Sequence, residues 1–265
     1  MGTVNRNSKE NRLLQIVDIL KKSNKMTTRE LADTLHVSIM TIRRDLEILR
    51  KNHIVERKYG SATLESNLNE YKAGDEFYDL RRALITHVKE KERIASYAAT
   101  LIEPNDFIFM DNGTTVARII PFLPRNFPFT VLTYNSTIMF ELLKYTNIKV
   151  IFPGGYYYPE DQMFISPQAV DFIRCHRASK AFISVSGIHP SLGITCINAH
   201  SVQPKQAIID SSVQRIILTD ATKFGVVKDN HFANFNDIHI IITDEGISEE
   251  WVSFLKKEKI KLVTV

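Results

Sequence analysis

Cysteine is almost missing from this chain. Cys175 and Cys196 are the only two in 265 residues, and they stand 21 positions apart. That excludes a disulfide framework and a cysteine-based zinc site, and it fits a reducing, cytoplasmic setting. None of the eight histidines falls in a ligand spacing such as HExxH, so no metal or other cofactor is expected. Long apolar runs are lacking too. None approaches the roughly 18 residues that a membrane span needs, so no membrane partner is expected. The opening "MGTVNRNSKENR" has no apolar core and no small-residue cleavage site, which argues against a secretory signal. Gly2 is followed by Arg6 where a myristoylation motif needs Ser or Thr. Repeats and low-complexity tracts are absent. What remains is 44% hydrophobic and 24% charged, an ordinary globular composition, at a length that suggests two domains.

Acidic charge is scarce at the front. Residues 1–60 carry 13 Lys and Arg against 7 Asp and Glu, a net +6, whereas residues 61–265 carry 21 against 23, a net −2. A basic front end on a slightly acidic body points to a polyanion partner for the front end alone.

The patterning of that front end is helical. In "KENRLLQIVDILKK", Leu13, Ile16, Val17 and Leu20 fall at i, i+3, i+4 and i+7. Thr27 and Glu30 form an S/T-x-x-E capping box, which predicts a second helix starting after Thr27 and ending near His36 and Val37. Ser38 offers an N-cap for a third, "IMTIRRDLEILRK". Two short helices joined by a tight turn form a helix-turn-helix pattern. On a helical wheel Ile39, Leu46 and Leu49 cluster with Ile42 on the buried side. Met40, Arg44, Glu47 and Lys51 point away, with Thr41 and Arg43 on the flanks. Arg43 and Arg44 suit guanine edges or phosphates, and Ser38 and Thr41 suit phosphate oxygens. The plainer alternative is a three-helix bundle with a solvated charged face. In "NHIVERKYGSATL", Asn52 is expected to end the helix with a positive φ, and a hairpin should follow as a wing. Arg57 and Lys58 would then lie near the duplex backbone.

With these motifs in view, "ELADTLHVSIMTIRRDLEIL" resembles the recognition segment of the DeoR family of bacterial transcription regulators, whose hallmark is VS-x-x-TIRRDL. This chain departs from the family at Asn52, where Gly is usual, and at Gly60-Ser61, where Gly-Gly is usual. The resemblance implies double-stranded operator DNA as partner, and a dimer or higher homo-oligomer to address paired half-sites.

Residues 64–88 are polar and mixed in charge, with a weak helical pattern at Phe77, Leu80, Leu84 and Val88. They read as a linker that becomes a helix leading into a second domain. The expected division is 1–63, 64–88 and 89–265. From residue 89 short β-rich runs ("FIFMD", "FTVLT", "KVIFPGG", "KAFISVSG", "RIILTD", "IHIIITD", "IKLVTV") alternate with helical ones. This predicts an α/β domain with a mostly parallel sheet.

Ligands bind such sheets at the carboxyl ends of the strands. Five ends carry small or polar residues: Asp111 to Thr115, Thr133-Tyr134-Asn135-Ser136, Gly154-Gly155, Ser186-Gly187 and Thr219-Asp220. In "DNGTT", Gly113 permits close backbone approach to an anion. The N–H groups opening the next helix, with the Thr114 and Thr115 hydroxyls, suit phosphate. Asp111 suits a sugar hydroxyl. The plain alternative is that a threonine caps the helix.

The segments "KERIASYAATLIEPNDFIFMDNGTT", "FPFTVLTYNS", "IFPGG", "KAFISVSGIHPSLGITC", "ILTDATKFG" and "IIITD" resemble the DeoR effector domain in order and spacing. That domain is related to isomerases of the ribose-5-phosphate isomerase type and senses phosphorylated sugars. The resemblance implies effector roles for Lys205 and Lys223, against a phosphate or carbonyl oxygen. It also implies a repressor of a sugar or deoxyribonucleoside catabolic operon. Tyr134 stands where most of the family has Asn, and deoxyribose 5-phosphate becomes the candidate inducer. The alternative is an isomerase with an appended DNA-binding domain, using Asp111, Asp220 and Lys205. Against it, no second acid clusters with Asp111.

Overall fold

The computed structural model describes residues 9–52, 54–58, 60–65 and 80–265, save the side chain of Arg81. The chain divides into two compact units, Met1–Thr86 and His87–Val265.

The first unit holds helix α1 (Lys9–Ser23), strand β1 (Lys25–Thr27), helices α2 (Thr28–Leu35) and α3 (Ile39–Lys51), strands β2 (Val55–Lys58) and β3 (Ser61–Leu64), and helix α4 (Leu80–Ile85). The capping box is present: Thr27 Oγ1 accepts the Glu30 N–H at 3.2 Å, and Glu30 Oε2 accepts the Thr27 N–H at 2.6 Å. α2 ends at His36, which adopts the left-handed conformation at φ 53°. Ser38 caps α3. Asn52 does not take the expected positive φ. Its φ is −90°, and its side-chain amide instead donates to the Ile48 carbonyl at 2.8 Å, satisfying a helix-end acceptor directly.

The wing is three-stranded, in the order β1-β3-β2 and antiparallel throughout. β1 was not legible because it is only three residues long. α1, α2 and α3 close on Leu13, Ile16, Leu20, Leu31, Ile42 and Leu46. The helix expected to lead out of the front end stops at Ile85, which is buried in this same core. Arg82 of α4 pairs with Asp18 of α1 at 2.8 Å. Phe77 lies outside the described residues, and Val88 opens a separate helix.

One polar contact ties α1 to α3. Asp45, 1% exposed, accepts Arg12 Nε at 2.5 Å and Arg12 NH2 at 3.2 Å. The aspartate of the TIRRDL run is thus a structural ion-pair partner.

The second unit begins with α5 (Val88–Ala99), β4 (Phe107–Met110), α6 (Thr114–Ala117), β5 (Phe129–Thr133), α7 (Ser136–Leu142) and β6 (Ile148–Ile151). A hairpin follows, β7 (Tyr156–Tyr158) and β8 (Met163–Ile165), then α8 (Pro167–Arg174), β9 (Ala178–Ser184), β10 (Gly187–His189) and β11 (Gly193–Cys196). The rest is α9 (Val202–Asp210), β12 (Ser212–Leu218), β13 (Asn230–Ala233), β14 (Ile240–Thr243), α10 (Glu249–Lys257) and β15 (Lys261–Thr264).

Seven strands form one sheet in the order β15-β14-β12-β9-β4-β5-β6, and every pairing is parallel. These are the seven runs anticipated from sequence. Successive side chains face opposite layers, as the period of two requires. Ala181 and Ile183 join the core that takes in Ile173, Ile208 and Leu255 of α8, α9 and α10. Phe182 joins the other core with Ile94, Val116 and Ile138 of α5, α6 and α7. The sheet is therefore doubly wound. After β4 the chain runs outward through β5 and β6, then returns to β9 on the other side of β4. The switch point lies between β4 and β9, where open α/β sheets bind ligands.

Sequence reading did not anticipate α8, the β7-β8 hairpin or the antiparallel sheet β10-β11-β13. α8 had a signal: Ser166 caps it, and Pro167 sits at its first position. The others are pieces of three or four residues, too short to show a period.

At the opposite ends of the central strands, Asp106 accepts Lys180 Nζ at 2.7 Å, Ser179 Oγ at 2.7 Å and the Glu103 N–H at 2.8 Å. Burial raises the Asp106 carboxyl, but these donors outweigh it and hold the group below its ordinary value. A depressed carboxylate contributes stability above its unfolded pKa, near 4, and that stability is lost as pH falls through the folded pKa. The urea midpoint should drop as pH falls below about 4, and Asp106→Asn should flatten that drop. Asp45→Ala should destabilise the first unit by about 3 kcal/mol in urea unfolding. This is the low end for a broken buried pair, because Arg12 is 18% exposed and can turn to water.

Candidate functional site

The outward face of α3 and the wing form the first site. Ser38 Oγ accepts the Thr41 N–H at 3.1 Å and lies 2.9 Å from Thr41 Oγ1, so both hydroxyls are partly engaged in capping. Arg43, Arg44 and Arg57 are exposed, and among the described residues no hydrogen bond engages their guanidinium groups. Lys58 pairs with Glu56 at 2.9 Å. Glu47 is paired by Arg50 at 2.7 Å, and that hydrogen bond holds its carboxyl below the usual range. The acids of this site, Glu47 and Glu56, are thus each paired with a cation. Met40 is 53% exposed, as the wheel places it, but Ile39 is 39% exposed and not in the core. The packed face begins only at Ile42, because the first turn projects beyond the core residues.

The second site is at the switch point. Asp111 follows β4 and is wholly buried. Its Oδ1 accepts the Tyr134 hydroxyl, and its Oδ2 accepts the Ser184 N–H at 2.8 Å and Lys205 Nζ. Ser184 Oγ has one proton and two acceptors in reach, Asp111 Oδ2 at 2.9 Å and the Asn112 carbonyl. Lys205, from α9, also donates to the Ser184 carbonyl at 2.8 Å and lies 5.1 Å from the centre of the Phe232 ring. Burial, then the Asp111 charge, push the Tyr134 phenol well above its ordinary value, so it stays a neutral donor. Asp111 is thus saturated by protein donors and faces no solvent.

The rest of "DNGTT" differs. Gly113 is the N-cap of α6, and no side chain caps that helix. Neither threonine performs the capping that the plain alternative assumed. Among the described residues no hydrogen bond reaches the Thr114 and Thr115 hydroxyls or the N–H groups of Thr114, Thr115 and Val116. A Cβ on Gly113 would come within 2.4 Å of Ser184 Cβ, so glycine is needed here for the approach of β4 to β9. Asn112 is 7% exposed. Its Nδ2 donates to Met163 Sδ at 3.4 Å, and its Oδ1 is buried without a partner. A buried, unsatisfied acceptor costs about 1–3 kcal/mol.

The remaining anticipated residues sit around this centre. Asn135 caps α7, accepting the Ile138 N–H at 2.9 Å, and donates to the Asp161 carbonyl at 3.2 Å. Gly154 and Gly155 have φ of 73° and 125°, and a Cβ on Gly155 would lie 2.5 Å from the Ile165 backbone. Gly187 lies inside β10, packed against the Val226 carbonyl. Asp220 accepts the Thr222 N–H at 3.2 Å and the Thr222 hydroxyl. Lys223 is partly exposed, and no partner is assigned to its ammonium among the described residues. Direct hydrogen bonds join Asp111, Tyr134 and Lys205. None joins Gly154, Gly155, Gly187, Asp220 or Lys223 to that group.

Ser184, Asn112 and an adjoining cluster on Asp161 were not anticipated. Asp161 Oδ2 accepts His200 Nε2 at 2.8 Å, Asn198 Nδ2 at 2.9 Å and Ser201 Oγ at 3.0 Å. Burial raises the Asp161 carboxyl, and these donors outweigh it to leave it below its usual range. Ser201 also reaches Met163 Sδ at 3.7 Å, which links this cluster to Asn112. The only sequence signal was that Ser201 lies four residues before Lys205, on the same helical face.

An isomerase needs a carboxylate open to substrate. Asp111 is closed, and Cys196 is no nucleophile, because burial pushes its thiol up to about 11. Among the described residues no group of His, Cys, Asp and Glu could hold a metal ion.

Residues 12–67 match the DeoR-like helix-turn-helix domain, and residues 86–245 match the DeoR C terminal sensor domain. The chain is 31% identical over 251 residues to the HTH-type transcriptional regulator YulB of Bacillus subtilis, covering 95% of each protein. It is 30% identical over 261 residues to the deoxyribose operon repressor of Escherichia coli K12, covering 96% of this chain and 98% of that one. Among solved structures, ribose 5-phosphate isomerase A from Methanocaldococcus jannaschii superposes with a TM-score of 0.40 at 12% identity, over 52% of this chain and 55% of that one. The chain belongs to the DeoR family: it is a transcriptional regulator with a helix-turn-helix domain and a sensor domain, and not an enzyme.

Proposed function

We propose that this regulator is a repressor whose operator affinity is set by a phosphorylated sugar bound at the β4–β9 switch point. The observation that carries the reading is unfilled hydrogen-bonding capacity in one loop. Among the described residues the Thr114 and Thr115 hydroxyls, the N–H groups opening α6 and Asn112 Oδ1 all lack partners, while the Asp111 centre behind them is saturated. Phosphate oxygens suit the hydroxyls and N–H groups, and Lys223, in the loop after β12, is a candidate cation for the same ligand. A sugar hydroxyl suits Asn112. Asp111 acts indirectly, by holding Lys205 and Tyr134 in place. Gly154, Gly155, Gly187, Asn135 and Asp220 shape the surrounding loops.

Deoxyribose 5-phosphate is the first effector to test, because the Escherichia coli deoxyribose operon repressor is related along 96% of this chain. On the DNA side, Arg43 and Arg44 read bases, while Ser38, Thr41, Arg57 and Lys58 meet the backbone. Paired half-sites call for a dimer or higher oligomer, acting in the cytoplasm. The effector shifts operator affinity only by binding one conformation better than the other. Residues 61–88 join the sensor domain to the reader and carry that coupling.

Two variants test the two halves. Arg44→Ala should cost about 1–3 kcal/mol of operator affinity in a gel shift at fixed salt; unchanged affinity would remove Arg44 from the base-reading set. Thr115→Ala should cost about 1.5 kcal/mol or more in calorimetric binding of deoxyribose 5-phosphate. If no pentose or hexose phosphate binds the wild-type protein, the switch-point reading is wrong.

A further inference from the structure

Ile39 and Met40 are the only large apolar side chains in the first unit that stand exposed among the described residues, and they are adjacent. Every other large apolar residue described there is buried or half-buried. Both occupy the first turn of α3, beside the unpaired Arg43 and Arg44. Each lies four residues before one of these arginines, so Ile39 stacks over Arg43 and Met40 over Arg44 along the helix surface. The face is apolar at its tip and cationic behind it, with its one acid held by Arg50.

We propose that Ile39 and Met40 read thymine C5-methyl groups in the major groove, making this pair a specificity determinant of the operator. The C5-methyl is the one apolar feature on a base edge, and apolar side chains recognise it. The polar neighbours are poorly placed to take that role, since Ser38 and Thr41 are engaged with one another at the cap. The cationic surround fixes the occupant as a polyanion and not an apolar peptide. Four residues advance about 6 Å along a helix, at about 1.5 Å each. Base pairs are spaced about 3.4 Å apart. The thymine read by the tip should therefore lie within about two base steps of the guanine read by an arginine.

This inference rests on α3 being the base-reading helix, and the experiment separates the two. Full-length protein selects its preferred duplex from a random-sequence library. The selected duplex is then remade with uracil at each thymine in turn, which deletes only the methyl. Wild-type protein should lose about fourfold in affinity at one or two positions per half-site, the factor for uncovering one methyl group. The Ile39→Ala/Met40→Ala variant should lose a similar factor on the thymine duplex and should no longer distinguish uracil there. Its thermal midpoint should shift little, because both side chains are largely outside the core in the free protein, and its salt dependence should be unchanged, because no charge is altered. Arg44→Ala should keep the thymine preference and lose a guanine preference nearby. Wild-type protein that binds both duplexes within twofold would overturn the inference, as would a double variant that still discriminates. Failure to enrich any sequence would instead overturn the reading of α3 itself.

Discussion

The sensor domain is organised around a buried ion pair at its switch point. Asp111 and Lys205 lie 94 positions apart, and Tyr134, just after β5, and Ser184, at the end of β9, close the group. Removing a carboxylate and an ammonium from water costs several kcal/mol per ion. Three hydrogen bonds to the carboxylate, from Tyr134, Ser184 and Lys205, return about 1.5–3 kcal/mol each. The two quantities are of the same order, so the pair holds only while all its donors are present. That makes it a constraint on geometry: β4, β5, β9 and α9 meet at one point or the centre is unsatisfied. The close approach also explains Gly113, whose missing Cβ leaves room for Ser184.

Around this saturated centre the loop is deliberately incomplete. A protein interior normally leaves few polar groups unpaired. Here an asparagine oxygen, two threonine hydroxyls and several N–H groups without partners fall within five consecutive residues. A rigid, satisfied wall behind an unsatisfied lining is the arrangement a binding loop needs, because the ligand then completes the bonds without reorganising the fold. The reading head uses a similar division. The Arg12–Asp45 pair and the capping network hold α3 in place from within. Among the described residues, Arg43 and Arg44 on its outward face are left without a hydrogen-bonding partner.

Much of this was legible in residue order. The capping box at Thr27 and Glu30, the Ser38 cap, the core stripe of α1 and the seven parallel strands all follow from short-range rules. Such rules work where one element makes its own signal. They failed at Ile39, whose wheel position is buried but whose turn lies beyond the core. They failed at Asn52 as well, where a side-chain bond replaces the left-handed cap. Strands of three or four residues left too little pattern to read.

The sequence by itself determined the two-part organisation, the helix-turn-helix, the doubly alternating α/β order and the strand-end loop worth examining. Periodicity, capping and turn chemistry are local, and they survive in one dimension. Only the tertiary structure decided which of the loop's residues are spent on one another. Asp111 looks in sequence like a free acceptor beside a glycine turn. In the fold it is the buried partner of Tyr134, Ser184 and Lys205, while Asn112 beside it lacks a partner for its oxygen. Hydrogen-bond satisfaction depends on groups that are distant in sequence and adjacent in space, and no local pattern encodes it.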